Sequence, residues 1–216
     1  MGKLTLTAFT TLDGVTQAPG GPNEDTDGGF THGGWLVPFA DQKMGEFMTE
    51  VFERAEAFLL GRRTYEILAD HWPKVSDPTD VIAARLNGLP KYVASRTKRE
   101  LGWDGSTLVS DVAATVTRLK RLYSGEIQVH GSGNLARALL QADLVDEINL
   151  LTFPVTLGAG KRMFDPGLPP LSLELKRFEV STKGAVFAVY TCSGAVATGD
   201  TTRLTTRELF ESVIRG

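Results

Sequence analysis

Two stretches of this sequence set glycine, hydroxyl and cationic residues in an order that suits anion binding. The first runs from Glu126 to Leu140, EIQVHGSGNLARALL. Ile127 and Val129 belong to an apolar strand that ends at His130, Gly131-Ser132-Gly133 makes a turn, and Leu135, Ala136, Leu139 and Leu140 then recur at helical spacing. Glycines at such a junction permit positive φ and let a ligand approach the backbone. The free N–H groups and the dipole of the helix start favour an anion, and a phosphate of a nucleotide cofactor is the obvious one. An ordinary strand-to-helix turn also uses glycine, and the third glycine of the dinucleotide fingerprint is absent. A second junction of the same kind strengthens the phosphate reading: Ala57-Phe58-Leu59-Leu60 leads into Gly61-Arg62-Arg63-Thr64 and a helical start from Tyr65 to Ala69.

Other residues with chemical potential lie in the segment Ala18 to Phe39, dense in Gly, Pro, Asn, Asp and Thr. A connection of that length is either a functional lid or an insertion, and Phe30, His32 and Trp35 argue for a lid that packs on the body. His32 can donate a proton near neutral pH, and the Trp35 indole can stack on a flat heterocycle. Both residues could equally pin the loop. His71 and His130 read as structural, and three scattered histidines without acidic neighbours at ligand spacing predict no metal site.

Composition narrows the partners. The chain has 216 residues, enough for one domain with a sizeable core, and its 42% hydrophobic and 23% charged residues are those of a globular chain. A formal net charge of -3 gives no basic footprint for nucleic acid or anionic lipid, so a small molecule is the expected partner. Cys192 is the only cysteine, which excludes an intrachain disulfide and a thiolate cluster. The N-terminal residues alternate rather than forming a signal-peptide core, and no run of about 18 apolar residues occurs, so a cytoplasmic location is expected.

The elements that must position these residues follow from periodicity. Leu4, Leu6 and Ala8 alternate with Lys3, Thr5 and Thr7, predicting an opening strand with one face on the core, broken at Leu12-Asp13-Gly14. Met44, Phe47, Met48, Val51 and Phe52 predict an amphipathic helix over 42–54, with Asp41 as its N-cap. A short helix over 81–86, a strand at Lys91-Tyr92-Val93-Ala94 ending in Ser95-Arg96-Thr97, a strand at 107–109 and a helix over 112–122 follow. Beyond the 126–140 unit come a strand over 148–153 and a hairpin of 173–180 with 186–191. Alternating strands and helices imply parallel pairing with right-handed crossovers, and the hairpin adds an antiparallel edge to an α/β sheet. Residues 193–216 read as a separate tail. Thr205-Thr206-Arg207-Glu208 is a capping-box pattern, and Leu209, Phe210, Val213 and Ile214 follow on a short helix.

In this order the chain resembles the dihydrofolate reductase-like fold, and within it the reductase domain of riboflavin biosynthesis and its stand-alone bacterial relatives. Four segments carry the resemblance: Thr11-Leu12-Asp13-Gly14; Phe58 to Glu66, FLLGRRTYE; His130 to Leu135, HGSGNL; and Leu144 to Ile148 running into Pro154 to Gly160, PVTLGAG. It spans residues 1–192 and implies a three-layer α/β/α domain with a mixed, mostly parallel sheet and a C-terminal antiparallel hairpin.

The resemblance implies an oxidoreductase that binds NADPH. Gly61, Arg62, Arg63 and Thr64 would meet the pyrophosphate on one side and Gly131, Ser132, Gly133, Asn134 and Leu135 on the other, while Ser95, Arg96 and Thr97 would grip the 2'-phosphate. Arg offers a bidentate fork for that group. The implied chemistry is hydride transfer to a small heterocyclic or carbonyl compound, with Asp13 and His32 as catalytic candidates and Trp35 as a substrate contact. Asp13 is also the natural turn former before Gly14. Glu46, Glu50 and Glu53 match no family motif closely enough to take the pterin-binding role. Two alternatives stand beside this reading. One is the 5-amino-6-(5-phosphoribosylamino)uracil reductase step of riboflavin synthesis, although the long Trp-bearing loop departs from that branch. The other is a non-catalytic nucleotide-binding protein acting through assembly. No H-x-E with P-C-x-x-C occurs, so deaminase activity is excluded. The fold also implies a homodimer.

Overall fold

Short apolar runs closed by Gly, Pro or Asp alternate with amphipathic segments opened by Asp, and that order sets the architecture. The computed structural model describes residues 1–98, 100–164 and 167–199. In chain order its strands and α-helices are β1 (Lys3–Thr11), α1 (Gln42–Glu53), β2 (Ala55–Gly61), α2 (Arg62–His71), α3 (Val81–Gly88), β3 (Lys91–Ala94), β4 (Ser106–Val109), α4 (Val112–Leu122), β5 (Glu126–His130), α5 (Gly133–Gln141), β6 (Glu147–Phe153), β7 (Ser172–Val180) and β8 (Val186–Gly194). The tail helix expected over Thr205 to Ile214 lies outside the described residues. Among the described residues no helix is long and apolar enough to cross a membrane.

Three helices start on an aspartate. Asp41, Asp80 and Asp111 each accept from the backbone N–H three residues on, at Met44, Ala83 and Ala114, all at 2.9 Å. Each satisfies a donor that the first helical turn leaves free. Asp41 also ties two elements together. Its other oxygen accepts from the Thr182 backbone at 2.8 Å and the Thr182 hydroxyl at 2.7 Å, fastening the β7–β8 turn to the start of α1.

The strands form one sheet in the order β4-β3-β2-β5-β1-β6-β8-β7. β1 to β6 run parallel, and β8 pairs antiparallel with both β6 and β7. On one face the sheet packs against α1, Tyr65 of α2, Leu86 of α3 and the lid residues Phe30, Trp35 and Leu36. On the other, Leu4, Leu6, Leu59, Ile127, Val129 and Ile148 meet α4 and α5. This is the three-layer α/β/α arrangement that the resemblance implies.

The opening strand departs from expectation. Its alternation predicts one solvated face, but Thr5 and Thr7 are as buried as Leu4 and Leu6. β1 sits between β5 and β6 at the sheet centre, so both faces are covered and the polar residues must find partners sideways. They join a buried polar row beneath α1. Thr7 Oγ1 accepts from the Asn149 amide at 3.1 Å, and Gln128 Nε2 donates to Val51 O at 2.6 Å and to Glu126 at 2.9 Å. Glu126 is in turn held by Arg54 Nε at 2.8 Å.

Phe153 closes the core beneath the lid. Fully buried at the end of β6, it meets Phe9, Trp35 and Phe39 at ring separations of 6.3, 5.7 and 6.2 Å. A Phe153→Ala variant is expected to lose about 3–5 kcal/mol of stability in urea denaturation, and to increase proteolytic cleavage within residues 19–34, because the lid loses the surface on which Trp35 rests.

Candidate active site

Parallel strands bring their carboxyl ends to one edge, and that edge collects nearly every candidate residue. Ser95, Arg96 and Thr97 follow β3, Gly61 to Thr64 follow β2, Gly131 to Leu135 follow β5, Asp13 follows β1 and the 154–162 loop follows β6. Since β3, β2, β5, β1 and β6 are neighbours in that order, segments up to 145 residues apart in sequence become adjacent.

The two glycine junctions are physically interlocked. Gly61 N donates to Ser132 Oγ at 3.0 Å, Ser132 N donates to Thr64 Oγ1 at 3.2 Å, and Ser132 Oγ donates back to His130 O at 3.1 Å. Ser132 takes φ +55°, rare for a residue with a side chain, directly after Gly131 at φ +53°. The three hydrogen bonds hold it there. A Cβ on Gly61 would come within 3.3 Å of the Ser132 side chain, so the close approach of the two turns depends on glycine. The result is a pair of helix starts, those of α2 and α5, side by side at one spot. Neither has a side-chain cap among the described residues, and each presents the positive end of its dipole.

The predicted cofactor contacts are not equivalent. The Thr64 hydroxyl accepts from Ser132 but keeps its own proton to donate. Arg62 is paired with Glu66 at 2.9 Å, and Glu66 also binds Lys98 at 3.1 Å. Arg63 turns to the lid, where it pairs with Asp27 and lies 3.3 Å from Asp25. Ser95 Oγ accepts from the backbone of Thr97 and Lys98, while Arg96 is exposed and makes no ion pair with the described residues. Gly133 and Asn134 are exposed. Leu135 faces the core, leaving only its backbone to the edge.

Asp13 is a joint. It accepts from the Thr11 hydroxyl, from Leu157 N at 3.2 Å and from Gly158 N at 2.7 Å, and Arg162 reaches its backbone oxygen at 2.9 Å. These donors, the Thr11 hydroxyl first, hold its pKa down at about 2, so it stays a carboxylate at neutral pH. Trp35 is buried, with Nε1 donating to Gln17 O at 2.8 Å and its ring edge-on to Phe153. His32 is exposed and lies edge-on to Phe30, with the ring centroids 5.9 Å apart.

Lid and edge enclose a cavity of about 410 Å³ lined by Gln17, Asp27 to His32 and Ala159 to Lys161. Three of its organising residues have no local signal in the sequence. Asp25 and Asp27 hold Lys161 at 2.5 and 3.0 Å as well as Arg63, fixing the lid to α2 and to the loop after β6. Arg63 and Lys161 draw the Asp27 pKa down to about 2. Buried Gln17 donates to the backbone oxygens of Asp25 and Asp27 at 3.1 and 3.0 Å and accepts from Lys161 N at 3.0 Å. Such partners lie up to 144 residues apart, and only their chemistry as Asp, Gln and Lys could have hinted at them.

With this geometry in view, residues 2–187 match the model of the RibD C-terminal domain family. The chain belongs to that family. It is 26% identical over 194 residues to the uncharacterized protein YyaP of Bacillus subtilis (strain 168), covering 89% of this chain and 96% of that one. A putative riboflavin biosynthesis protein from Shewanella sp. PV-4 superposes with a TM-score of 0.67 at 22% identity, over 89% of this chain and 99% of that one. Dihydrofolate reductase from Enterococcus faecalis, solved in complex with NADP(H), gives a TM-score of 0.58 at 13% identity, over 89% and 97%. The fold of this family member is therefore dihydrofolate reductase-like.

His130 shows what burial does at the foot of the site. It stacks on Phe52 at 4.5 Å and 12°, and its Nε2 lies 3.0 Å from Gln128 Oε1. The Gln128 amide is already donating to Val51 and Glu126, so Nε2 must carry the proton and donate. Burial pushes the pKa down to about 4 from 6.5. Between those pH values the unfolded chain binds the extra proton and the folded one does not. Stability is therefore full above pH 6.5 and is lost as the pH falls towards 4, by on the order of 3 kcal/mol. A His130→Phe variant should keep the stack and lose that part of the acid dependence, as measured by denaturation midpoints from pH 7 to 4. At the interlock, Ser132→Ala is expected to cost about 1–3 kcal/mol, because Gly61 N loses its acceptor while the positive φ remains. Ser132→Gly should cost less, since it relieves the backbone; thermal melts of the two variants test the order.

Proposed function

We propose that this chain is an NADPH-dependent reductase that transfers a hydride to a small uncharged carbonyl or heterocyclic compound. The observation that carries the reading is the interlock of Gly61, Thr64 and Ser132, which sets two helix starts side by side at the carboxyl edge, one strand from Arg96, which makes no ion pair with the described residues. A dinucleotide phosphate needs that combination of backbone donors, positive dipole ends and a guanidinium without a partner. The residues fit the cofactor. Gly61 lets the two helix starts approach each other, Thr64 retains a hydroxyl proton, and Ser95 to Thr97 lie one strand further along the edge. Membership of the RibD C-terminal domain family and the NADP(H) complex of the Enterococcus faecalis reductase point the same way.

Bound there, the reduced nicotinamide supplies a hydride to a polarised C=O or C=N. The protein supplies placement and a proton. His32 is the group available for that proton, because it lines the cavity and its imidazole is bound to no carboxylate among the described residues. Asp13 acts as a positioning residue, holding the loop after β6. Trp35 serves the substrate side by anchoring the lid through Gln17 and Phe153. Among the described residues lining the cavity the one cation, Lys161, is neutralised by Asp25 and Asp27. An uncharged substrate suits that lining better than a ribityl phosphate does.

Calorimetric titration with NADPH and NADH tests the cofactor assignment. NADPH should bind in the micromolar range, and Arg96→Ala should weaken it about 10- to 100-fold while leaving NADH unchanged, as expected for the loss of one charge-assisted phosphate contact. If neither cofactor binds, the junctions are ordinary turns and the reductase reading fails.

A further inference from the structure

The three-layer packing is incomplete at one end of the sheet. In the register of β6, β8 and β7, Ile148 pairs with Tyr190, Leu150 with Ala188 and Thr152 with Val186. Tyr190, Ala188 and Val186 in turn face Leu175, Phe178 and Val180. Residues directly opposite share a face. Ile148 belongs to the core beneath α4 and α5, so this is the face those helices cover elsewhere. They do not extend over β8 and β7. Phe178 is 61% exposed, Leu175 and Val180 49% and Val186 38%. The opposite face is served, since Arg177 lies over the Phe47 ring of α1 at 5.3 Å and pairs with Glu50 at 2.8 Å.

An outer strand that presents Phe, Leu and Val to water on one face invites association, and proteins ordinarily blunt such strands with charge or cover them. Charge does not serve here, for Glu174, Lys176 and Arg177 alternate with the apolar residues without interrupting their face.

We propose that residues 204–214 of this same chain cover that face, packing Leu209, Phe210, Val213 and Ile214 against Phe178, Val180, Val186 and Leu175. β8 ends at Gly194, which pairs with Ser172 at the opposite end of β7 from Val180, so the following segment leaves the sheet at one end of the bare surface. Its sequence has the right pattern. Thr205-Thr206-Arg207-Glu208 is a capping box, and positions 209, 210, 213 and 214 fall on one side of a helix. Its length also suffices. About ten residues from 195 to 204 span up to about 33 Å when extended, about the length of β8, and ten helical residues add about 15 Å. The chain can therefore double back along β8 and lay its apolar stripe on the patch.

The test is a thiol reporter on the patch. Val180→Cys in a Cys192→Ser background is labelled with a maleimide in three forms: the full chain, a chain ending at Gly199, and the full chain carrying Phe210→Asp and Val213→Asp. Labelling should be slow in the full chain, at least tenfold faster in the other two, and independent of protein concentration. A rise in bis-ANS fluorescence on the same truncation or double substitution, made without the reporter, should accompany it. Equal rates in all three forms would overturn the proposal. So would a full chain whose slow labelling speeds up on dilution, because a second copy would then be the cover.

Discussion

Seven strands that run the same way, β1 to β7, must turn at the same edge, and in this protein that constraint assembles the site. Each of β1 to β6 needs a crossover to return the chain to its amino end, so every strand delivers a loop or a helix start to the carboxyl edge. The order β3-β2-β5-β1-β6 then decides which loops are neighbours. Gly61 meets Ser132 because β2 and β5 pair, and Asp13 meets Gly158 because β1 and β6 pair. Neither contact could exist in an antiparallel meander of the same segments.

The same centrality imposes a cost on β1 and β5. Strands covered on both faces cannot send polar side chains to water, yet this sheet carries Thr5, Thr7, Glu126, Gln128, His130 and Asn149 beneath α1. They are tolerated because they bond to one another and to the backbone of α1 through Val51 O, which also fixes that helix along the sheet. Asn149 Oδ1 has no partner among the described residues and marks where the row is incomplete. A buried lysine is managed in the same way. Lys91 sends its ammonium to the carbonyls of Leu86 and Leu89 at 2.8 and 2.9 Å, capping the end of α3, with the Trp103 ring 4.6 Å away.

The lid is held by a different kind of force. Its aromatic residues are buried in the core like any others, but Asp25 and Asp27 reach across to Arg63 and Lys161 in an exposed cluster of alternating charge. Pairs of that kind contribute little stability in water and weaken with salt. Their value is orientation. They join the lid to the start of α2 and to the loop after β6, and the cavity opens between the lid and that loop.

Most of this was legible where the signal is local. Period-2 and helical spacing located the strands and helices, and the aspartate at position 41 marked a helix start. Glycine flanked by strand and helix marked both junctions, and the four motif segments named the fold. Local signals failed where solvent exposure depends on neighbours. The alternation in Leu4 to Ala8 predicts one wet face, and only the position of β1 between β5 and β6 shows both to be buried. Likewise Arg62, Arg63 and Arg96 look alike in sequence. The tertiary structure alone separates the first two, paired with Glu66 and with the lid, from Arg96, which has no ion-pair partner among the described residues. The sequence by itself determined which residues can bend, cap, span and bind, because those properties belong to a side chain and its nearest neighbours. Strand order decided which of them meet, because pairing across a sheet is settled by the burial of the whole core.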